Sequence, residues 1–135
     1  MTPVEGRTPV IEPHNPATVY PPAGPYAHGI EMREFSRLLW ISGTMGLAPD
    51  GSAADDFEAQ CEQAWANVGE VLSAAGMTWR NLVKVTCFLG DRGDREVNAA
   101  VRDRVLGDHR VAVTVVAVTL LDPAWKLEIE ALAAG

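Results

Sequence analysis

Cysteine and long apolar runs are both scarce in this 135-residue chain. The two cysteines, Cys61 and Cys87, fall within a predicted helix and a predicted strand, so we expect small core side chains in a reducing compartment. No apolar run approaches the ~20 residues that a membrane helix requires, and no charged-then-apolar segment opens the chain. These absences predict a cytoplasmic protein with no membrane partner.

Positive charge is also in short supply. Eleven Lys and Arg residues stand against 18 Asp and Glu residues, which gives a formal net charge of −7. Such a chain repels phosphate backbones, and no stripe of Lys or Arg interrupts the acidic balance. We therefore expect no nucleic-acid partner.

Motifs for a cofactor or a metal are missing as well. The sequence has no Gly-rich phosphate loop, no pair of metal ligands on a helix and no nucleophile elbow. Its three histidines, His14, His28 and His109, are scattered. We therefore expect neither a cofactor nor a metal. His14 is interpreted as a solvated side chain, and His28 as a residue that lies either in a cleft or at a strand edge.

Proline, by contrast, is concentrated at the start of the chain, where seven of the nine prolines precede residue 26. Proline fixes φ and lacks an N–H donor, so a regular helix or a central strand cannot begin there. We expect residues 1–16 to form an extended or poorly ordered arm. Residues 17–135 are then expected to form one domain.

Two stretches beyond the prolines have the apolar spacing of three and four that is typical of amphipathic helices. The first covers residues 57–75, with Ser52 or Asp55 as the N-cap and Gly76 as the left-handed C-cap residue. The second covers residues 94–106, and its predicted apolar stripe consists of Val97, Val101 and Val105.

Strand patterns occupy most of the remaining chain. They cover residues 27–33, 38–43, 82–90, 111–119 and 125–132. The resulting order, β-β-α-β-α-β-β, predicts an α+β sandwich in which two helices lie on one face of a mixed sheet.

The predicted strand over residues 111–119 is apolar on both faces, and most of its residues are β-branched. Two helices can cover only one face of the sheet. At ~25 cal/mol per Å² of apolar area, leaving Val113, Val115 and their neighbours in water would forgo a substantial free energy of burial. We therefore expect a symmetric homo-oligomer in which sister chains cover the second face. Burial of the strand within one monomer is the alternative.

Two carboxylates are predicted to point toward that second face. Glu128 and Glu130 alternate with apolar residues that must face the helices. Each carboxylate then lies either at a solvated rim or in a wet cleft between subunits. In a cleft, partial desolvation would make it a usable proton shuttle.

Six segments resemble, in order, the motifs of the RidA (YjgF) reactive-intermediate deaminase family. They are GPYAHG, LLWISGTMGL, ANVGEVLSAAG, NLVKVTCFL, HRVAVT and KLEIEALA, and the similarity runs from about Pro22 to Ala133. The resemblance implies a chorismate-mutase-like fold and a homotrimer with small-molecule ligands in intersubunit clefts. It also implies hydrolysis of imines or enamines, derived from amino acids, to ketones and ammonia.

The resemblance assigns roles to individual residues. Glu128 matches the glutamate that holds the attacking water, and is therefore the predicted catalytic residue. The predicted ligand-binding residues are the tyrosine of the GPY turn, the SG pair whose backbone lines the cleft and the asparagine that opens the second helix, which are Tyr26, Ser42, Gly43 and Asn98.

The sequence departs from the family at its carboxylate anchor. Imino-acid-hydrolysing members carry R-P-A-R-[ST], whose second arginine grips the substrate carboxylate. Here the segment reads RVAVT, so Val113 replaces that arginine and is followed by Thr114. Arg110 lies three residues earlier and is expected to point to the opposite face.

A second departure is the lack of an aromatic residue before Asn98, where the chain reads GDRE. Asp94 is interpreted as the N-cap of the second helix. If it also borders the cleft, the site would be acidic and would lack its cation.

Two functions remain open at this point. The first is a RidA-like hydrolase with altered specificity, acting on a neutral or cationic imine or enamine with Glu128 positioning water. The second is a non-catalytic trimer that binds or senses a small ligand. Ribonuclease activity and translation inhibition have been linked to the family, and the acidic charge argues against both here.

Overall fold

The computed structural model describes residues 9–135; residues 1–8, the first half of the predicted arm, lie outside the described part. Its described residues form six strands, two α-helices and two short 3-10 turns. The strands are β1 (Val10–His14), β2 (Gly29–Arg33), β3 (Leu38–Met45), β4 (Leu82–Leu89), β5 (Ala112–Ala117) and β6 (Leu127–Ala134). The helices are α1 (Phe57–Ala74) and α2 (Arg95–Leu106).

Four of the strands form a mixed sheet in the order β3-β6-β4-β5. Strands β4 and β5 run parallel, whereas β6 is antiparallel to both β3 and β4. Helix α1 packs on β3 and β6 and also contacts α2, so both helices lie on one side of the sheet. This arrangement confirms the predicted α+β fold class with two helices on one face.

The core fills the space between this sheet and the helices. Strand β6 alternates as predicted, because Leu127, Ile129 and Ala131 are buried while Glu130 is exposed. The largest side chains of this core include Trp65, Leu72, Leu82, Leu89, Leu127 and Ile129. Both Cys61 and Cys87 are free and buried in it, as expected of small apolar core residues.

Gln60 is a polar exception within the core, since it is only 1% exposed. Its Nε2 donates to the carbonyl oxygens of Ala54 (2.7 Å) and Ala124 (3.0 Å), and its Oε1 accepts from the backbone N–H of Lys126 (2.9 Å). These bonds satisfy the buried amide and tie α1 to the residue that precedes β6.

A separate two-stranded sheet is formed by β1 and β2. The sequence analysis predicted no strand before residue 27, yet Val10–His14 pairs antiparallel with Gly29–Arg33. Pro13 is accommodated because β1 has no strand on its outer side, where a proline removes no ladder hydrogen bond. His14 is exposed, as expected, but its Nε2 also lies 2.8 Å from Glu31 Oε1.

The helix boundaries differ from the prediction in detail. Asp56, rather than Ser52 or Asp55, is the N-cap residue of α1, and its side chain makes no capping hydrogen bond. Gly76 has a φ of +70°, which suits the predicted left-handed position after the helix.

The predicted apolar stripe of α2 is wrong in part. Val101 is buried as predicted, but Val97 is 38% exposed, and the other buried residues of the helix are Asn98, Arg102 and Leu106. The helix is therefore rotated by about one residue from the orientation that its valines suggested, and two polar side chains turn toward the protein.

The face of the four-stranded sheet opposite the helices is open in the single chain. Trp40 on β3 is 73% exposed, and Val116 on β5 is 39% exposed. Within residues 9–135, neither α-helix is long and apolar enough to cross a membrane.

Candidate functional site

A cavity of about 550 Å³ lies between the loop at residues 23–26, helix α2 and the edge strand β5. Tyr26, Asn98 and Val113 all line it, so the structure brings together three of the predicted ligand-binding residues. The volume falls in the range of small-molecule sites.

The tyrosine is held beside β5 by the backbone. Ala27 forms a parallel bridge with Ala112, and its N–H donates to the Val111 carbonyl at 3.1 Å. The hydroxyl of Tyr26 accepts a hydrogen bond from the N–H of Ala23 at 3.2 Å. The loop and the edge strand therefore form one wall of the cavity together.

Asn98 enters the cavity from the first turn of α2. Its side chain is 1% exposed, and its Oδ1 lies 3.8 Å from the Cys61 thiol. Its Nδ2 is buried and has no hydrogen-bond partner among the described residues. An unpaired buried amide is costly, which makes this donor a candidate ligand contact.

The thiols near this amide are not nucleophiles at neutral pH. Burial raises the pKa of Cys61 to about 12, with the neighbouring Cys87 adding to the rise. Burial also raises the pKa of Cys87, although Asn98 and Arg102 partly oppose it. Both side chains therefore stay neutral and serve as packing groups.

The charged residues that line the cavity are mostly cationic. Three arginines line it, Arg92, Arg95 and Arg102, together with a single carboxylate, Asp103. An acidic site was expected only if Asp94 borders the cleft. Asp94 does not line the cavity, and neither does Arg110, whose guanidinium donates to the Gly107 carbonyl at 3.3 Å.

None of these three arginines was singled out in the sequence analysis. The signal that could have found one of them is its spacing from Asn98. Arg102 follows Asn98 by four residues, which places both on the same helix face.

The predicted catalytic residue, Glu128, and the predicted backbone-lining pair, Ser42 and Gly43, lie on the other side of the sheet. Ser42 and Gly43 occupy an irregularity of β3 where its pairing with β6 shifts register. A Cβ added to Gly43 would lie 2.5 Å from Oε1 of Glu128, so the absence of a side chain makes room for this carboxylate. Glu128 itself is half-buried.

Thr114 also falls outside the 550 Å³ cavity. Its Oγ1 accepts a hydrogen bond from Lys84 Nζ at 2.6 Å. Burial lowers the pKa of Lys84, while the nearby Glu130 favours its charged form. The predicted site residues thus form a cavity group (Tyr26, Asn98, Val113) and a group on the open face that includes Glu128.

Comparison with known proteins agrees with this fold. The family model described as Endoribonuclease L-PSP matches residues 17–135. The chain belongs to the RidA (YjgF) family. Membership confirms the resemblance carried by the six sequence motifs.

Relatives of this RidA-family chain include imine deaminases. It is 32% identical over 114 residues to the 2-iminobutanoate/2-iminopropanoate deaminase of Salmonella typhimurium, covering 82% of this chain and 87% of the relative. It is 36% identical over 84 residues to a RutC family protein of Aquifex aeolicus, covering 61% of this chain. The chain spans 65% of that protein's length and 58% of a chloroplastic Reactive Intermediate Deaminase A from Arabidopsis thaliana.

Among solved structures, a Rid-family protein, YyfB of Yersinia pestis, superposes with a TM-score of 0.81 at 28% identity. The superposition covers 93% of this chain and 98% of the other. Escherichia coli TdcF, solved with bound serine, superposes with a TM-score of 0.69 at 27% identity over 84% of this chain.

Proposed function

We propose that the protein is a homotrimeric small-molecule hydrolase of the imine or enamine deaminase type, with altered substrate specificity. The observation that carries the proposal is the division of the site residues between the two faces of one sheet. Tyr26 and Asn98 lie in the helix-side cavity, and Glu128 lies on the open face. Copies of the chain that pack through the open face would place one chain's acid at another chain's cavity.

The exposed apolar residues of the open face support this assembly. Trp40 is 73% exposed and Val116 is 39% exposed, and association would remove both from water. A site built between chains also accounts for the unpaired amide of Asn98, which a ligand in the cleft would satisfy.

The chemistry follows from the residues that such a cleft would contain. Glu128 would hold a water molecule and accept its proton as the water oxygen attacks the C=N carbon. The proton held by Glu128 and the proton of the new hydroxyl group pass to the nitrogen as the adduct collapses. The C–N bond then breaks, a ketone and ammonia are released, and the carboxylate is restored. Tyr26 and Asn98 would orient the substrate.

The altered specificity rests on Val113, which offers the cavity an apolar side chain at the position where the family motif has its arginine. The deaminase relatives support imine chemistry in general. Ribonuclease activity is not favoured, because the chain carries a net charge of −7 and its arginine cluster lies in a cavity of small-molecule size.

An ammonia-release assay tests the hydrolase. Imines would be generated in situ from a panel of amino acids by an amino acid oxidase, and wild-type protein would be compared with Glu128→Gln. Loss of a positioned proton acceptor typically costs about 10²- to 10⁴-fold in rate. The matched control is Glu130→Gln, which changes the exposed carboxylate two residues along the same strand. Equal rates for wild type and Glu128→Gln on every substrate would contradict the proposal.

Non-catalytic binding of a small ligand is the second candidate function, and Val113 favours it because the family's anchor is missing. A ligand that raises the melting temperature and is recovered unchanged after long incubation supports binding without turnover. Release of ammonia or a carbonyl product supports the hydrolase.

Two further features belong to the proposal. We propose that residues 17–135 form the functional domain, with the preceding residues as an arm. We also propose a cytoplasmic location, which the free and buried state of Cys61 and Cys87 supports.

A further inference from the structure

Arg102 is a buried cation without a close counter-ion. It lies on α2, lines the 550 Å³ cavity and is 6% exposed. Its one recorded ionic contact joins Nε to Oδ1 of Asp103 at 3.8 Å, and the Asp103 side chain is 46% exposed. Another side chain in contact with the guanidinium is the thiol of Cys87, a weak acceptor whose pKa is raised by burial and partly lowered by Arg102.

Burying a guanidinium this way is costly, since desolvation of a charge is repaid only by good pairing and hydrogen bonds. The neighbouring Cys87 gives no counter-charge, because burial raises the pKa of its thiol and keeps it neutral. Arg102 therefore has guanidinium N–H donors without an anionic partner closer than 3.8 Å, which a ligand in the cavity could use.

A second unpaired donor lies one helical turn away. Asn98 also lines the cavity, is 1% exposed, and its Nδ2 has no partner in the described chain. Two buried side chains that offer donors and lack anionic partners, on the same face of α2, are the pattern expected where a ligand supplies the acceptor oxygens.

The rim of the cavity adds more positive charge. Arg92 and Arg95 are exposed, line the cavity and form no ion pair with any residue of the described part. With Arg102 they give three positive charges against the single negative charge of Asp103, a local balance of +2 in a chain whose net charge is −7. This concentration favours a ligand with two negative charges.

We propose that the cavity binds a small dianion, with Arg102 gripping one acidic group and Arg92 and Arg95 attracting the second. The inference rests on the proposed function of the same cavity and specifies its substrate class. It replaces the neutral or cationic substrate expected from sequence. Carboxylate and phosphate groups share the required chemistry, a planar or tetrahedral set of anionic oxygens.

Titration calorimetry on the full chain at pH 8 tests the proposal with acetate, succinate and inorganic phosphate as probes. We expect succinate or phosphate to bind at least 10-fold more tightly than acetate, and the stronger of the two identifies the acidic group. Arg102→Met, which keeps most of the side chain's length, should weaken that binding about 10- to 100-fold, the range expected for a charge-assisted contact.

The matched control is Arg104→Met on the same helix, because Arg104 pairs with Glu58 and Glu62 and does not line the cavity. The affinity of the Arg104→Met variant for the probes should equal that of the wild type. The melting temperature of Arg102→Met without ligand shows whether weaker binding comes from a damaged fold. Removal of a poorly compensated buried charge should leave this temperature unchanged or raise it. Should Arg102→Met fail to fold, the exposed pair Arg92→Met/Arg95→Met should abolish the preference for dianions.

Three outcomes overturn the inference: no binding of any probe, equal affinity for acetate and both dianions, or equal losses in Arg102→Met and Arg104→Met. Glu128→Gln keeps this result distinct from the test of hydrolysis. Calorimetry measures anion binding without turnover, and the ammonia-release assay of this variant measures turnover, so the two proposals can fail separately.

Discussion

The two faces of the four-stranded sheet differ in what covers them. On the helix side, Trp65 packs against the sheet and is 1% exposed, whereas on the opposite side Trp40 is 73% exposed. Alternating residues of the same strands supply both faces. The helix side is completed by this chain alone, and it holds a cavity. The open side holds the acid Glu128, and in the proposed assembly another chain would complete it as a site.

The largest effect expected from this difference concerns the two tryptophans. Trp65→Ala should lower the free energy of unfolding by about 3–5 kcal/mol, because it leaves a hole in the packed core. Trp40→Ala should cost much less, since its side chain is mostly solvated within the protomer. Urea unfolding of both variants measures the contrast, and equal losses would show that the open face is as important to protomer stability as the core.

A smaller effect is expected on assembly. Val116→Glu places a charge on the open face of β5, and burial of that charge between chains should weaken association by about 100-fold or more. The control is Val71→Glu on α1, because Val71 has nearly the same exposure, 40% against 39%, on the far side of the helical layer. Sedimentation should find three protomers for wild type and control, and single protomers for Val116→Glu. A wild-type mass of one protomer would refute the trimer.

The smallest effect concerns the cavity wall. Val113→Arg should raise activity on 2-iminobutanoate-type substrates by about 10-fold, because it returns a bidentate carboxylate donor to β5. If Arg102 already grips the acidic group, the gain should be greater in an Arg102→Met background, where the new arginine replaces a lost one. Steady-state ammonia release compares the four proteins. No gain in either background would mean that the cavity has diverged beyond position 113.

The sequence predicted the elements whose pattern reports directly on burial. Strand β6 was identified by its alternation of apolar and polar residues, and α1 by its apolar spacing of three and four. Both patterns are clear because this chain alone makes the core that they face. Strand β1 was missed because Pro13 and the prolines around the strand argue against it, and only its position at the edge of a two-stranded sheet makes Pro13 acceptable.

The candidate site was predicted less completely. The resemblance placed Tyr26, Asn98 and Val113, and the structure brings them to one cavity. The apolar periodicity did not point to Arg102, since an arginine beside valines is ordinarily assigned to solvent, and only its spacing of four from Asn98 places it on the same helix face. The physical reason for its burial is the rotation of α2, which exposes Val97 and turns the polar pair of Asn98 and Arg102 inward.

The amide of Gln60 has a consequence for how this protein could change over time. Its bonds to Ala124 and Lys126 fasten the end of the connection that follows β5 to helix α1, just before β6 begins. Glu128 lies two residues beyond Lys126, so its position does not depend on the length and composition of the preceding segment, residues 118–123. Insertions in this segment can therefore change the surroundings of the proposed cleft while the Glu128 carboxylate stays in the same position.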